Sequence, residues 1–150
     1  MSCWTSVRCS ITCKPETNKA DIEKYFGKEL ILPDTPEYSM LGTLGKDKFF
    51  ELMDSVFAVR QEAWDDWEKN KDEYLPTGSE GSLKYHEPIK DTKRISYIIS
   101  GNLRDKFNAK EQVEWYINAF LNFKIETDLA IAGRVTASDG VGEWSWRYYS

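Results

Sequence analysis

Long apolar runs are missing from this chain. None approaches the roughly 20 residues that a membrane helix needs, and a charged fraction of 30% with a mean hydropathy of −0.59 argues against a membrane protein. The opening residues MSCWTSVRCS lack the apolar core of a secretory signal, so a cytoplasmic location is expected. Histidine is nearly absent, with His86 alone, and cysteine is confined to Cys3, Cys9 and Cys13. In the alternating run from Cys3 to Cys13 these thiols share one strand face with Val7 and Ile11. Residues four or more apart on one strand are separated by roughly 13 Å or more, at about 3.3 Å per residue, too far for a disulfide. They read as reduced core thiols. A metal site built on them would need ligands from elsewhere, so no metal, cofactor or catalytic residue is expected.

Aromatic residues are abundant at 14% of 150 positions, and that length suits one domain, 1–150, able to bury a core. From Asp47 to Tyr74 the chain reads as one long amphipathic helix. Phe49, Met53, Val56, Phe57, Arg60, Trp64 and Trp67 fall on one side at helical spacing, and Glu51, Asp54, Glu62, Asp65 and Asp66 on the other. Asp47 is placed to cap its start, and Leu75-Pro76-Thr77-Gly78 to end it. Between Asp47 and Tyr74 stand nine acids and four bases, so the net charge of −5 of the whole chain sits here. That distribution favours a basic partner over a nucleic-acid backbone.

Elsewhere the pattern predicts strands at about 2–13, 83–89, 95–103, 129–137 and 143–149, with Leu129, Ile131 and Val135 on the inner face of the fourth. Lys19 to Phe26 forms a short helix closed by Gly27. A second long helix starts at Asn108, where Asn108 and Glu111 have capping-box spacing, with Val113, Tyr116, Ile117, Phe120 and Leu121 as its apolar stripe. With residues 14–46 set aside as an insertion, the order is strand, helix, strand, strand, helix, strand, strand. This is an α+β arrangement, a ferredoxin-like β-α-β-β-α-β antiparallel sheet with two helices on one face and an extra C-terminal strand. That plan hosts many functions.

Four places invite chemistry. Gly42-Thr43-Leu44-Gly45-Lys46 resembles a phosphate loop, but its glycines are three apart and Asp47 stands where a hydroxyl should hold magnesium. A flexible helix start is the better reading. His86 alternates with Lys84 away from Leu83 and Ile89, without a visible orienting partner. Arg104, after Gly101-Asn102-Leu103, can hold a carboxylate or phosphate or pair with Asp105. In the tail, Trp144, Trp146 and Tyr148 share one face, with Glu143, Ser145, Arg147 and Tyr149 on the other. Trp115 falls opposite the stripe of its helix and is exposed unless the insertion covers it. Tryptophan, tyrosine and arginine together suit an interface, and core filling suits the same rings. Base stacking on the tail is disfavoured, because no lysine or arginine cluster accompanies it in sequence.

At Gly101-Asn102-Leu103-Arg104-Asp105, at Glu111 to Trp115, and at the last hairpin with Asp139-Gly140 and Trp144, the chain resembles small uncharacterised proteins encoded by phages and prophages. The match covers about the last third. The resemblance implies binding to and blocking of host machinery, defence complexes included. It carries no catalytic residues.

These readings predict a non-enzymatic protein-binding module, a phage-encoded inhibitor of a basic, nucleic-acid-handling or defence factor of the bacterial host. The acidic residues Glu51, Asp54, Glu62, Asp65 and Asp66, with Trp115, Trp144 and Trp146, would contact the partner. No direct nucleic-acid or membrane contact is expected, and the protein would act as a monomer or homodimer. The alternative is a nucleotide-binding or sequestering protein, or a modest enzyme, with His86, Arg104 and Arg147 round a pocket.

Overall fold

A computed structural model describes residues 4–77, 81–104 and 108–149. Cys3 and Asp105 lie outside them. The chain divides into two compact units, Met1–Glu29 with Glu73–Ser150, and Leu30–Asp72.

The first unit is α+β, built on an open antiparallel sheet. Its strands are β1 (Trp4–Cys13), β2 (Leu83–Tyr85), β3 (Ile89–Lys90), β4 (Ile95–Arg104), β5 (Ala130–Ser138) and β6 (Glu143–Tyr149). They run in the order β2-β4-β1-β5-β6, with β3 also on β4. The single strand expected over 83–89 is thus two short ones. Pro88 interrupts them because it has no amide hydrogen to give to the ladder.

Alternation explains the core. Val7, Cys9, Ile11 and Cys13 of β1 point to one face and are buried. Register sets Cys9 opposite Ile99 of β4 and Val135 of β5, and Ile11 opposite Tyr97 and Gly133, so the buried positions of three strands coincide. A register shift at Thr12/Cys13 breaks the alternation early in β5. Val135 and Ala137 are therefore buried while Ile131 and Leu129 are only partly covered. Burial holds the Cys9 thiol well above its ordinary range and pushes Cys13 up to about 12, so both stay protonated and inert as nucleophiles.

Two helices cover this face. In α1 (Lys19–Phe26), Asn18 and Asp21 form a reciprocal capping box, and Ile22 and Phe26 are fully buried. In α4 (Ala109–Glu126), the Asn108 side chain accepts from the Glu111 amide at 2.9 Å. Phe26 meets Tyr116 and Phe123 of α4 at ring separations of 6.4 and 6.1 Å. The buried side of α4 is rotated from the expected stripe: Gln112 and Phe123 are inside, and Leu121 is exposed. Phe120 lies on the backbone of Gly133, where an added Cβ would come within 2.7 Å of the ring. Asp139 ties the β5–β6 turn to α4 by accepting from the amides of Ala109, Val141 and Gly142. Those bonds lower its pKa.

The second unit holds α2 (Met40–Leu44) and α3 (Lys46–Lys69). The long helix forms where its periodicity predicts, but it ends at Lys69, ahead of a 3-10 turn at Lys71–Glu73. Gly45, not Asp47, is its N-cap, and no side chain caps it. Phe49 is the one buried residue of α3. Within the first unit the helix that packs with α4 is α1, in the place that the sequence reading gave to the long helix.

Lys28 and Tyr74 form a parallel bridge. The Lys28 amide donates to the Glu73 carbonyl at 2.8 Å and the Leu75 amide to the Lys28 carbonyl at 2.9 Å. No helix among the described residues is long and apolar enough to cross a membrane.

Candidate functional site: the open face of the sheet

The residues that alternate away from the helices form the other face of the sheet. On β1 they are Trp4, Ser6, Arg8, Ser10 and Thr12. Register places Ser10 opposite Arg134, and Arg8 opposite Thr136 and Ser100. In the β5–β6 pair, Arg134 stands directly opposite Arg147, and Ala132 opposite Tyr149. Lys84 of β2 faces Ser100. Along the strands this face holds the cations Arg8, Lys84, Arg104, Arg134 and Arg147, with Glu143 as its one acid.

Directly opposed like charges destabilise a sheet by a fraction of a kcal/mol, up to about 1. None of Arg8, Arg134 and Arg147 makes an ion pair among the described residues. The Arg147 guanidinium lies 5.9 Å from the Tyr149 ring centre, and Tyr149 is 70% exposed. A depression of about 410 Å³ opens here, lined by Arg8, Ser10, Thr12, Arg134, Thr136 and Tyr149 among others. Arginine forks beside small hydroxyls in such a hollow are suited to phosphate or carboxylate oxygens.

The three residues expected round one pocket do not surround one. Arg147 is on β6, Arg104 at the end of β4 opposite Trp4, and His86 just past β2, with β1 and β5 between the first and the others. His86 shares a 2.5 Å hydrogen bond with the Ser100 hydroxyl. Nothing among the described residues orients the far ring nitrogen, which a catalytic serine–histidine relay requires.

The expected aromatic anchors divide. Trp146 packs on Phe120 at 5.5 Å, and Trp115 on Tyr116 at 4.9 Å. Both are partly buried against the core, so Trp115 is not the exposed ring that helical spacing suggests. Trp144 remains exposed. On α3, Glu51, Asp54, Glu62, Asp65 and Asp66 are all exposed, with Asp65 accepting from Gln61 and Asp66 from Asn70. Among the described residues no group of three or more His, Cys, Asp or Glu is placed to hold a metal ion.

Charge is divided between the units. Leu30–Asp72 holds ten acids against five bases, and the remainder of the chain fifteen of each. The net charge of −5 therefore hides a sheet face that is cationic. Arg8 and Arg134 supply the basic cluster beside the tail that the linear sequence lacks, and sequence reasoning missed both. Their shared alternation phase was the available signal; their adjacency was not.

Compared with family models, curated proteins and solved structures, the chain gives no match in any of the three.

Proposed function

We propose that this chain is a non-enzymatic binding module whose open sheet face receives an anionic, phosphate-bearing ligand. The observation that carries this reading is Arg134 opposite Arg147 with Arg8 beside them, a standing repulsion that a bound anion relieves. The strand order β2-β4-β1-β5, with α1 and α4 together on one side, is read here as a ferredoxin-like plan with β6 as an added edge. In that plan the face opposite the helices is open to ligand.

The test uses ATP as the probe, titrated by calorimetry into the wild type and into the double variant R134T/R147T. Affinity should fall at least about tenfold, since hydrogen bonds to charged groups contribute roughly 1.5–3 kcal/mol. Without ATP the β5 amides of the variant should be the better protected against hydrogen exchange, as the like-charge contact is gone. Equal affinity in the two proteins would remove the sheet face as the site.

A second reading rests on α3. Phe50, Asp54, Phe57, Gln61 and Asp65 follow one another at helical spacing, and Phe50 and Phe57 are exposed. Aromatic rings among carboxylates suit a basic protein surface, including that of a host factor which handles nucleic acid. Oligolysine should bind in a salt-sensitive way and lose that binding in D65K/D66K. Unchanged binding of oligolysine by D65K/D66K counts against it.

A further inference from the structure

We infer that the ligand of the open sheet face is a single-stranded nucleic acid, an inference that rests on the phosphate-binding reading above and extends it. Three observations separate an extended strand from a lone nucleotide.

The first is extent. Lys84 stands on β2 at one side of the sheet and Arg147 on β6 at the other, with Arg8 and Arg134 between. Four strand spacings at about 4.8 Å place the outer cations roughly 19 Å apart. One phosphate or diphosphate cannot bridge them, whereas a backbone with a charge at every residue can.

The second is shape. The depression is lined by strand residues alone. Sites for single small molecules are concave and bury most of the ligand. Ser10, Thr12 and Thr136 line a hollow bounded by one sheet face, and Ser6 continues that face beyond it, so a chain can lie across the whole.

The third is the placing of exposed rings. Tyr149 lies in the same cross-strand row as Thr12, and Trp4, 46% exposed, begins the same β1 strand. From Trp4 to Thr12 is eight residues along β1, about 26 Å. Trp4 and Tyr149 thus lie on either side of Arg8, Arg134 and Arg147 on a diagonal of the sheet, and rings beside cations are how sequence-tolerant single-strand binders hold bases, by stacking. A duplex is a poor fit, because grooves are read by a projecting helix or ribbon and this face is a sheet.

The experiment is fluorescence anisotropy with labelled dT12 and rU12, set beside dT3, ATP and a 12-base-pair duplex, at two salt concentrations. Affinity should rise from ATP through dT3 to dT12 and exceed that for the duplex. Tyr149→Ala should weaken dT12 binding about five- to hundredfold, the range of one stacked base, with the salt dependence unchanged. Tyr149→Phe, which keeps the ring, should bind as the wild type does. R8S/R134S/R147S should weaken binding and flatten the salt dependence. Equal affinity for ATP and dT12 would overturn the strand and leave the phosphate site standing. Tighter binding of duplex, or no effect of Tyr149→Ala, would also overturn it. No binding of either ATP or dT12 would overturn both readings.

Discussion

Phe26→Ala is expected to destabilise the first unit by about 3–5 kcal/mol, and Phe57→Ala to change stability by less than about 0.5 kcal/mol. Both are aromatic residues on helices, and Phe57 belongs to the longer and more regular of the two. Phe26 is fully buried and its ring meets Tyr116 and Phe123. Its truncation removes transfer energy and leaves a cavity that α1, a short helix, cannot close without losing Ile22 as well. Phe57 is 51% exposed, so most of its surface is already in water. Native-state hydrogen exchange on β1 amides assigns the loss to the sheet unit, where a single melting curve for two units would mix them. A large loss in Phe57→Ala with a small one in Phe26→Ala would mean that the long helix carries the core after all.

Gly27→Ala is expected to cost about 2–6 kcal/mol, against about 1–3 kcal/mol for Gly45→Ala. Both glycines follow helices and hold positive φ, +96° and +85° with extended ψ, a region that side chains other than glycine enter only under strain of about 1–3 kcal/mol. The difference lies in their surroundings. A Cβ on Gly27 would come within 2.4 Å of the Tyr74 backbone, while one on Gly45 meets nothing within 4 Å. Backbone cannot swing aside as a side-chain tip does, so Gly27→Ala adds an overpacking cost of about 1–3 kcal/mol. Chemical denaturation of the two variants measures the difference directly. Equal costs would show that the close approach at Tyr74 is absent in solution.

Local chemistry made much of this fold readable. Gly27 closes α1 at its true end, and alternation finds β6 to the residue, because turns and a period of two act within a few neighbours. Periodicity also finds α3, but it cannot say what a helix packs on: a repeat of 3.6 marks a face, and tertiary structure chooses its partner. The stripe of α4 was misplaced for a chemical reason. Glutamine reads as polar, yet Gln112 is fully buried with neither amide atom hydrogen-bonded among the described residues, and Phe123 extends the buried side past the point where Leu121 was expected to complete it. At the site, Arg147 and Tyr149 fall together by alternation on one strand. Arg8 and Arg134 do not, since they are far apart along the chain and meet only through the β1–β5 register. Net charge misled in the same way, because the acids of Leu30–Asp72 cancel in a sum what they do not cancel on the sheet.

The bridge between Lys28 and Tyr74 has a bearing on how this chain can vary. It brings the two ends of the Leu30–Asp72 stretch side by side, so that for the sheet the whole stretch amounts to a loop with a stitched base. The entropy of closing such a loop rises only with the logarithm of its length. By that measure, lengthening or trimming the stretch costs the sheet little closure entropy. The acidic stretch can thus change in length at small closure cost to the strands that carry the cations.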